Sequence, residues 1–400
     1  MGVSFWVSFL CCVSLFAEPI YVAHGASGGL SFLEKTRLDS AAFLPLLHSS
    51  PQKILGQDNR LYLISAESSW IEIIDAKLQT AVGRIDCGLP IMDACLWRNC
   101  LFATSVNNLI AVDLTEQEIL YAIAHNLTGS LRIAVEEKGR FACMTGDGGC
   151  LQTFDLEKRL AQEKVVAAKG DLCALCSIPG TSLMLIAESS YDYELFIWDE
   201  EKQTKKILCT CVHQVEGGTD LCFAPDGDVV YLLGKDTANI GKITWQEGRV
   251  EQLVPVALGS RYFAITEEGS FLYVASPEEN LIDVFDLASF DRCPPARFPY
   301  PCNAIYIPHR ELVEKVRGEQ QSARFLSAKQ RVNVLEWSSS YPDEIAHYIV
   351  KKEGNFFRKV SSQSQMRLED RRVQEGRKVL YEIVPVSASG TCAKSYWIEI

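Results

Sequence analysis

The chain has no excess of basic residues: 39 Lys and Arg stand against 51 Asp and Glu, a formal charge of -12 over 400 residues. A surface that tracks phosphates needs clustered cations that release counterions, and no basic stripe interleaved with aromatics occurs, which excludes nucleic acid as a partner. Beyond the first residues no apolar run approaches the roughly 18 residues of a membrane-spanning helix, so no transmembrane span is expected. Helical periodicity is equally scarce: no long stretch of the first 300 residues repeats its apolar positions every 3.6 residues. The six His, at 24, 48, 125, 213, 309 and 347, form no His-x-x-x-His or Glu-x-x-His pair, and no Cys pair finds a second pair to complete a tetrahedral metal site. Gly146-Asp147-Gly148-Gly149 has no following helix or Lys-Ser/Thr, which makes it a hairpin turn and not a phosphate cradle. No residue is therefore assigned a catalytic, cofactor-binding or metal-binding role, and no cofactor is implied.

What is present is a repeat. Leu272-Tyr273-Val274-Ala275-Ser276 followed by Leu281-Ile282-Asp283-Val284-Phe285-Asp286 matches Leu61-Tyr62-Leu63-Ile64-Ser65 followed by Trp70-Ile71-Glu72-Ile73-Ile74-Asp75. Aligning the first runs puts Tyr21, Tyr62, Phe102, Phe141, Met184, Tyr231 and Tyr273 in register about 40 residues apart, the period of a four-stranded propeller blade. Turns fall where the repeat needs them. In Pro225-Asp226-Gly227-Asp228, Pro presets a negative φ, Asp bonds the backbone ahead, and Gly accepts the positive φ. The expected fold is all-β, a seven-bladed β-propeller over 18–310.

The two ends of this region are complementary. Pro19 to Ala23, Leu30 to Leu33 and Ala41 to Leu47 read as the second, third and fourth strands of a unit without its first. Cys302-Asn303-Ala304-Ile305-Tyr306-Ile307 repeats the inner run Arg261 to Thr266 and then stops. N- and C-terminal strands sharing one blade would close the ring and leave no open edge. The Leu-Tyr-Val-Ala-Ser run, the Val/Ile-Asp strand end and the period together resemble the YVTN family of seven-bladed propeller repeats. The sequence departs from that family in its variable turns and in Trp245-Gln246, which replaces the acidic strand end in the sixth unit.

The run from Val3 to Ala17 is apolar and followed by Glu18-Pro19, the pattern of a signal peptide over 1–17, so an exported protein (periplasmic, cell-surface or secreted) is expected. Thirteen of the fifteen Cys follow that point, a usage compatible with an oxidising compartment. Cys143/Cys150, Cys95/Cys100 and Cys293/Cys302 flank turns where a bridge is geometrically conceivable, and burial as small apolar residues is the equal alternative. Cys173-Ala174-Leu175-Cys176 has redox spacing but falls in an expected strand, away from the helix N-terminus that would lower a thiol pKa. Asn126-Leu127-Thr128 matches a glycosylation acceptor.

From residue 320 the balance shifts to 13 Lys and Arg against 9 Asp and Glu. A polar stretch at 311–321 reads as a linker or short helix, and 322–400 as a separate β-sandwich. Its strands are expected at 332–337, 347–352, 368–370, 379–386 and 396–400. An early Trp337, a late Tyr381 and the turn Ser389-Gly390 make it similar to a fibronectin type III domain. That resemblance implies that Trp337 fills the core and that Tyr381 ties a loop to the sheet. No Arg-Gly-Asp occurs, so no integrin-type role is implied.

The expected function is that of an exported noncatalytic binding or scaffold protein, acting on a protein or cell-envelope component through propeller loops and the sandwich surface. The alternative is a propeller hydrolase of the lactonase type, which requires carboxylate, Arg and His to converge in the central channel.

Overall fold

A computed structural model describes residues 19–25, 28–34, 37–46, 50–57, 59–179, 181–189, 194–209, 215, 218–225, 227–234, 237–266, 269–308, 314–325, 328–339, 345–353, 355–362, 365–371, 378–387 and 396–400. The proposed leader and the Ser389-Gly390 turn lie outside them. The described residues are all-β, and none of their helices is long and apolar enough to cross a membrane. By contact the chain divides into two compact units. One is Met1–Cys222 with Tyr231–Ala264 and Leu272–Pro308; the other is Phe223–Val230 with Ile265–Phe271 and His309–Ile400.

Seven antiparallel sheets follow one another between residues 19 and 306. Sheet 1 has the order Cys302–Tyr306, Pro19–His24, Gly29–Glu34, Arg37–Pro45. Sheet 2 runs Lys53–Gln57, Arg60–Ile64, Trp70–Asp75, Thr80–Asp86, and sheet 3 runs Asp93–Trp97, Cys100–Thr104, Asn108–Asp113, Glu118–Ala124. Sheet 4 consists of Arg132–Val135, Phe141–Gly146 and Cys150–Asp155, with a broken outer edge of Leu160–Ala161 and Val165–Val166. Sheet 5 is Leu172–Ser177, Leu183–Glu188, Leu195–Asp199, Thr204–Cys209. Sheet 6 is Gly218–Phe223, Val229–Gly234, Asn239–Thr244, Arg249–Pro255, and sheet 7 is Tyr262–Ile265, Phe271–Ser276, Leu281–Asp286, Arg292–Arg297.

The repeated acidic strand end has a physical role. The Asp75 carboxylate accepts the Lys77 and Leu78 N–H groups at 2.9 and 2.8 Å, and Asp113, Asp199 and Asp286 hold the next turn in the same way. Each carboxylate satisfies turn donors that the ladder cannot reach, which fixes the hairpin to the fourth strand. That hairpin then passes through a left-handed residue, Gln79, Gln117, Arg159, Gln203, Gly248 or Phe290. In sheet 6 Thr244 takes the Asp place, and its carbonyl accepts the Glu247 N–H instead.

Between sheets the apolar faces stack. Tyr62, Ile64, Ile71 and Ile73 of sheet 2 pack with Ala94, Leu101, Ala103 and Ile110 of sheet 3, and like clusters join sheets 1 and 2, 3 and 4, and 4 and 5. A fully buried Leu or Ile in such a seam contributes about 1.5–3 kcal/mol. Pairing register keeps Tyr21, Tyr62 and Phe102 equivalent, each opposite a residue two before the end of the third strand (Phe32, Ile73 and Ala111), and moves two aligned positions. Cys143 and Leu185, rather than Phe141 and Met184, stand there in sheets 4 and 5, opposite Thr153 and Ile197.

The C-terminal residues form a three-stranded sheet, Glu314–Phe325, Ala328–Ser338, Gln365–Asp370, and a four-stranded sheet, Asn355–Ser361, Ile345–Lys352, Leu380–Ser387, Tyr396–Glu399. Residues from both sheets share one core around Leu335, Trp337, Tyr348, Val350, Leu368 and Ile383, which makes this a β-sandwich. The expected linker at 311–321 is corrected: residues 314–321 lie in a 12-residue strand paired with Ala328–Ser338. Its polar sequence hides it, because the pairing backbone and not an apolar alternation defines the strand. Trp337 is buried edge-to-face on Tyr348, with ring centroids 5.6 Å apart. The role implied for Tyr381 is also corrected. Its hydroxyl donates to the Asp370 carboxylate at 2.6 Å and accepts from Asn333 at 3.2 Å, so it ties the two sheets together rather than a loop to its own. Lys352 completes the network at 2.6 Å from Asp370.

In sheet 1 the pairs Tyr21↔Tyr306, Val22↔Ile305 and Ala23↔Ala304 join residues almost 300 positions apart. Deleting 19–24 removes Ile20, Tyr21, Val22 and Ala23, all buried, and is expected to cost at least about 5 kcal/mol, read as a large fall in Tm by circular dichroism. A melting curve identical to that of the intact chain would contradict the shared sheet.

Candidate functional site

Near the start of the first strand of each sheet one residue recurs at a like place, termed the rung. Lys53 stands opposite Ile64, Asp93 opposite Thr104 and Arg132 opposite Thr145; Asp220 and Tyr262 take like places in sheets 6 and 7 by their backbone contacts, and Cys173 and Asn303 sit at the register shifts that open sheets 5 and 1. Apolar neighbours such as Ile54, Ala94, Ile133 and Ala174 are buried between sheets, and this alternation leaves the rung residues on the other face of each strand. Six of the seven are only partly buried, and Asp93 alone is enclosed.

Four of these side chains are charged, and they interlock. Lys53 Nζ donates to Asp93 Oδ1 at 2.6 Å, while Asp93 Oδ2 accepts the Ile133 N–H of the next sheet at 3.0 Å. Arg132 Nε donates to the Cys173 carbonyl at 3.3 Å, and its guanidinium also bonds Tyr262. Asp220 repeats the Asp93 arrangement two sheets beyond Arg132. Its carboxylate takes the N–H of Leu221 at 3.0 Å and of Phe263, in the following sheet, at 3.2 Å. An aspartate at this rung therefore fastens its own sheet to the next through a charge-assisted hydrogen bond.

Enclosure and neighbouring charge act in opposite directions here. Burial disfavours the Lys53 ammonium, yet the charge and hydrogen bond of Asp93 outweigh it and hold the pKa above the ordinary lysine value. Burial likewise pushes the Asp220 carboxyl up, against the pull of Lys53, two backbone donors and Arg132. The four charges sum to zero, and they hydrogen-bond to one another, to backbone and to Tyr262.

The sequence pattern singles out no site residue here. The signal was available as a charged residue opening an otherwise apolar strand every 40 or so residues, but a single Lys or Asp at a strand start is ordinary. His24 is not part of the rung: it is fully buried, with Nε2 2.7 Å from Ser31 Oγ and its ring against Phe298, and His213 lies outside the described residues. Cys173 and Cys176 lie in a strand, where burial pushes Cys173 up to about 12 and Cys176 well above the ordinary thiol value, so neither is a ready thiolate. Cys87, Cys95, Cys100, Cys143, Cys150, Cys173, Cys176, Cys293 and Cys302 are free thiols. Cys95 faces Phe102 while Cys100 faces Trp97, and Cys143 faces Thr153 while Cys150 faces Gly146, so neither pair is directly cross-strand. Gly146 to Gly149 is the hairpin turn expected. Among the described residues no group of three His, Cys, Asp or Glu is placed to hold a metal ion.

A second buried cluster joins sheets 4 and 5. Glu200, 1% exposed, accepts from Thr153 Oγ1 at 2.5 Å, and the Cys143 thiol and Trp198 indole lie beside it. Burial pushes its carboxyl up to about 7, and the nearby Glu136 adds to the rise.

No protein-family model matches the chain, and no curated protein does. Solved structures do resemble it. Kuenenia stuttgartiensis hydrazine synthase is 12% identical with a TM-score of 0.55, covering 64% of this chain and 88% of that one. A functionally unknown protein from Desulfotomaculum acetoxidans DSM 771 is 11% identical with a TM-score of 0.62, covering 74% and 100%. A chain of the Mitotic Checkpoint Complex is 14% identical with a TM-score of 0.55, covering 65% and 82%. At these identities the likeness speaks to fold alone, and it is a fold of β-propeller type.

Two outcomes follow. Asp93→Ala strands a partly enclosed ammonium and the Ile133 N–H, and is expected to lower unfolding free energy by about 3 kcal/mol in urea titration, part of it regained by adding Lys53→Met. For Glu200 the folded pKa lies above the unfolded one, so the unfolded chain releases its proton first as pH rises. Stability is then full below about 4.5 and falls as pH rises to about 7, by on the order of 3 kcal/mol in all. In Glu200→Gln that slope should vanish between those limits; a slope unchanged from wild type would assign it to other groups.

Proposed function

We propose that the seven sheets are the blades of a closed wheel of YVTN type, that the rung lies in its bore, and that the sandwich is fibronectin type III-like. On this reading the chain is an exported, noncatalytic binding or scaffold protein whose loops and sandwich surface engage a protein or cell-envelope component. The observation that carries it is the internal pairing of the rung. Lys53 is engaged by Asp93, Arg132 by Cys173 and Tyr262, and both carboxylates by N–H groups of the next sheet. Such a constellation stiffens the centre of a wheel. It contains no His, and a hydrolase of the lactonase type was expected to place one beside the carboxylate and Arg. Closure of the wheel is supported by the pairing of Cys302–Tyr306 with Pro19–His24 and by first strands that neighbour one another from sheet 1 through sheet 5.

The test is enzymatic and direct. Purified protein is expected to hydrolyse a panel of lactones and esters no faster than buffer. Turnover that Lys53→Met or Asp220→Asn abolishes would establish the hydrolase instead. N-terminal sequencing of protein recovered from its native compartment is expected to begin at Glu18, and a retained Met1 would overturn export.

A further inference from the structure

We propose that the edge strand Asn355–Ser361 of the sandwich is a docking site for an extended acidic polypeptide segment, which adds to the four-stranded sheet as a further strand. This rests on the binding reading above and says which part of the sandwich surface binds, and what. The strand lies at the end of its sheet, paired on one side with Ile345–Lys352, and among the described residues no strand pairs on the other. Five of its seven residues are exposed. Such an edge presents a row of backbone N–H and C=O groups that only water satisfies, which is a template for one more strand.

The side chains restrict which strand can use that template. In the pairing register Val360 stands opposite Tyr348 and faces the core, while Lys359 stands opposite Ile349 and Phe356 opposite Lys351. Phe357 is the extra residue of a bulge, so Phe356 and Lys359 share the outer face, and Arg358, opposite the core residue Val350, lies on the other. Phe356 is 68% exposed, the most exposed aromatic ring among the described residues. Arg358 and Lys359 are both exposed, and neither makes an ion pair among the described residues. Nearby acids are already engaged: Glu382 by Lys351 at 3.1 Å and Asp370 by Lys352 at 2.6 Å. Glu353, exposed in the turn before the strand, sets one negative charge against the two positive ones. On the strand that ends the other sheet, Gln365–Asp370, the charges are answered locally, Arg367 by Glu336 at 2.7 Å and Glu369 by Arg371 at 3.0 Å.

Charge selects the occupant. Residues from 320 onward are the basic part of a chain whose formal charge is -12, and on this strand two cations stand without partners. An incoming strand with Asp or Glu on both of its faces meets Arg358 on one side and Lys359 on the other, and an apolar residue beside Phe356 adds to the main-chain bonds. A second copy paired antiparallel through the same edge would bring Arg358 and Lys359 against their own counterparts, and like charges facing one another are destabilising. An anionic bilayer is recognised by clusters of about four to eight cations, more than this strand supplies, and it has no strand with which to complete the edge.

Selection of random dodecapeptides displayed on phage against the full chain tests this, with fluorescence anisotropy of the synthetic peptides it yields. The expected peptides are enriched in Asp and Glu, contain an apolar residue and lack Pro, and their affinity falls about fivefold or more between about 0.05 and 0.5 M NaCl. They should weaken about tenfold or more with Phe356→Ala, Arg358→Glu or Lys359→Glu and be unaffected by Lys206→Glu. N-methylation of alternate peptide residues is expected to abolish binding in one phase of the alternation and spare it in the other, because an added strand pairs through one side only. Unchanged near-ultraviolet circular dichroism identifies the variants that fold, and each of the three reports independently. Peptides without acidic enrichment, or insensitive to all three changes, would overturn this edge and leave the scaffold reading standing; binding that survives N-methylation in both phases would overturn strand addition. Retention of no peptide above the bare support would overturn both the edge and the scaffold reading. Self-association in sedimentation, or binding to phosphatidylserine vesicles, that Arg358→Glu abolishes would assign the edge to a second copy or to lipid and overturn the proposed partner.

Discussion

The pairing of Pro19–His24 with Cys302–Tyr306 is the constraint on which the first unit depends. A β-sheet left with an open inner edge exposes a row of unpaired N–H and C=O groups, and sheet 1 would have such an edge without a strand brought from the other end of the repeat. The pairing is energetically expensive to assemble, because its loop spans nearly the whole unit. Once made, it sets Tyr21 and Ala23 into a seam that includes Leu61, Leu63 and Ala304.

The rung residues add a second tie, perpendicular to the strands. Hydrogen bonds within a sheet run between its own strands, and apolar seams between sheets have no direction. Asp93 and Asp220 each send a carboxylate to an N–H in the following sheet and so give the stacking a fixed register. Lys53 and Arg132 neutralise the charge this requires in an enclosed place, where an unpaired carboxylate would be costly. The buried Glu200 follows a different logic. Its neighbours supply hydrogen bonds without a cation, and it meets neutral pH close to its own midpoint.

Charge is distributed along the chain according to these demands. At one end of the early sheets Asp75 and Asp113 cap hairpins, and at the other Lys53 and Asp93 pair while Asp86 holds the Gly88 N–H. In the sandwich the buried network of Asn333, Tyr381, Asp370 and Lys352 joins the two sheets through side chains, with every member engaged by another.

The sequence by itself determined the all-β class, the 40-residue repeat, the position of most strands, the acidic strand ends and the complementary termini. Each of these is written in local alternation and turn chemistry, which a chain carries wherever it folds. Register was less legible. A longer turn after Val135, or a one-residue offset in the strand from Leu183, shifts which residue faces which without altering the apolar pattern, so Phe141 and Met184 aligned with Tyr62 in sequence but not in space. Only the tertiary structure decided that Glu314–Phe325 is a strand, that Tyr381 reaches Asp370, and that Lys53, Asp93, Arg132 and Asp220 belong to one constellation. The reason is common to all three: each depends on a partner outside its own segment, and the stacking of sheets brings together residues that spacing along the chain keeps 40 or more positions apart.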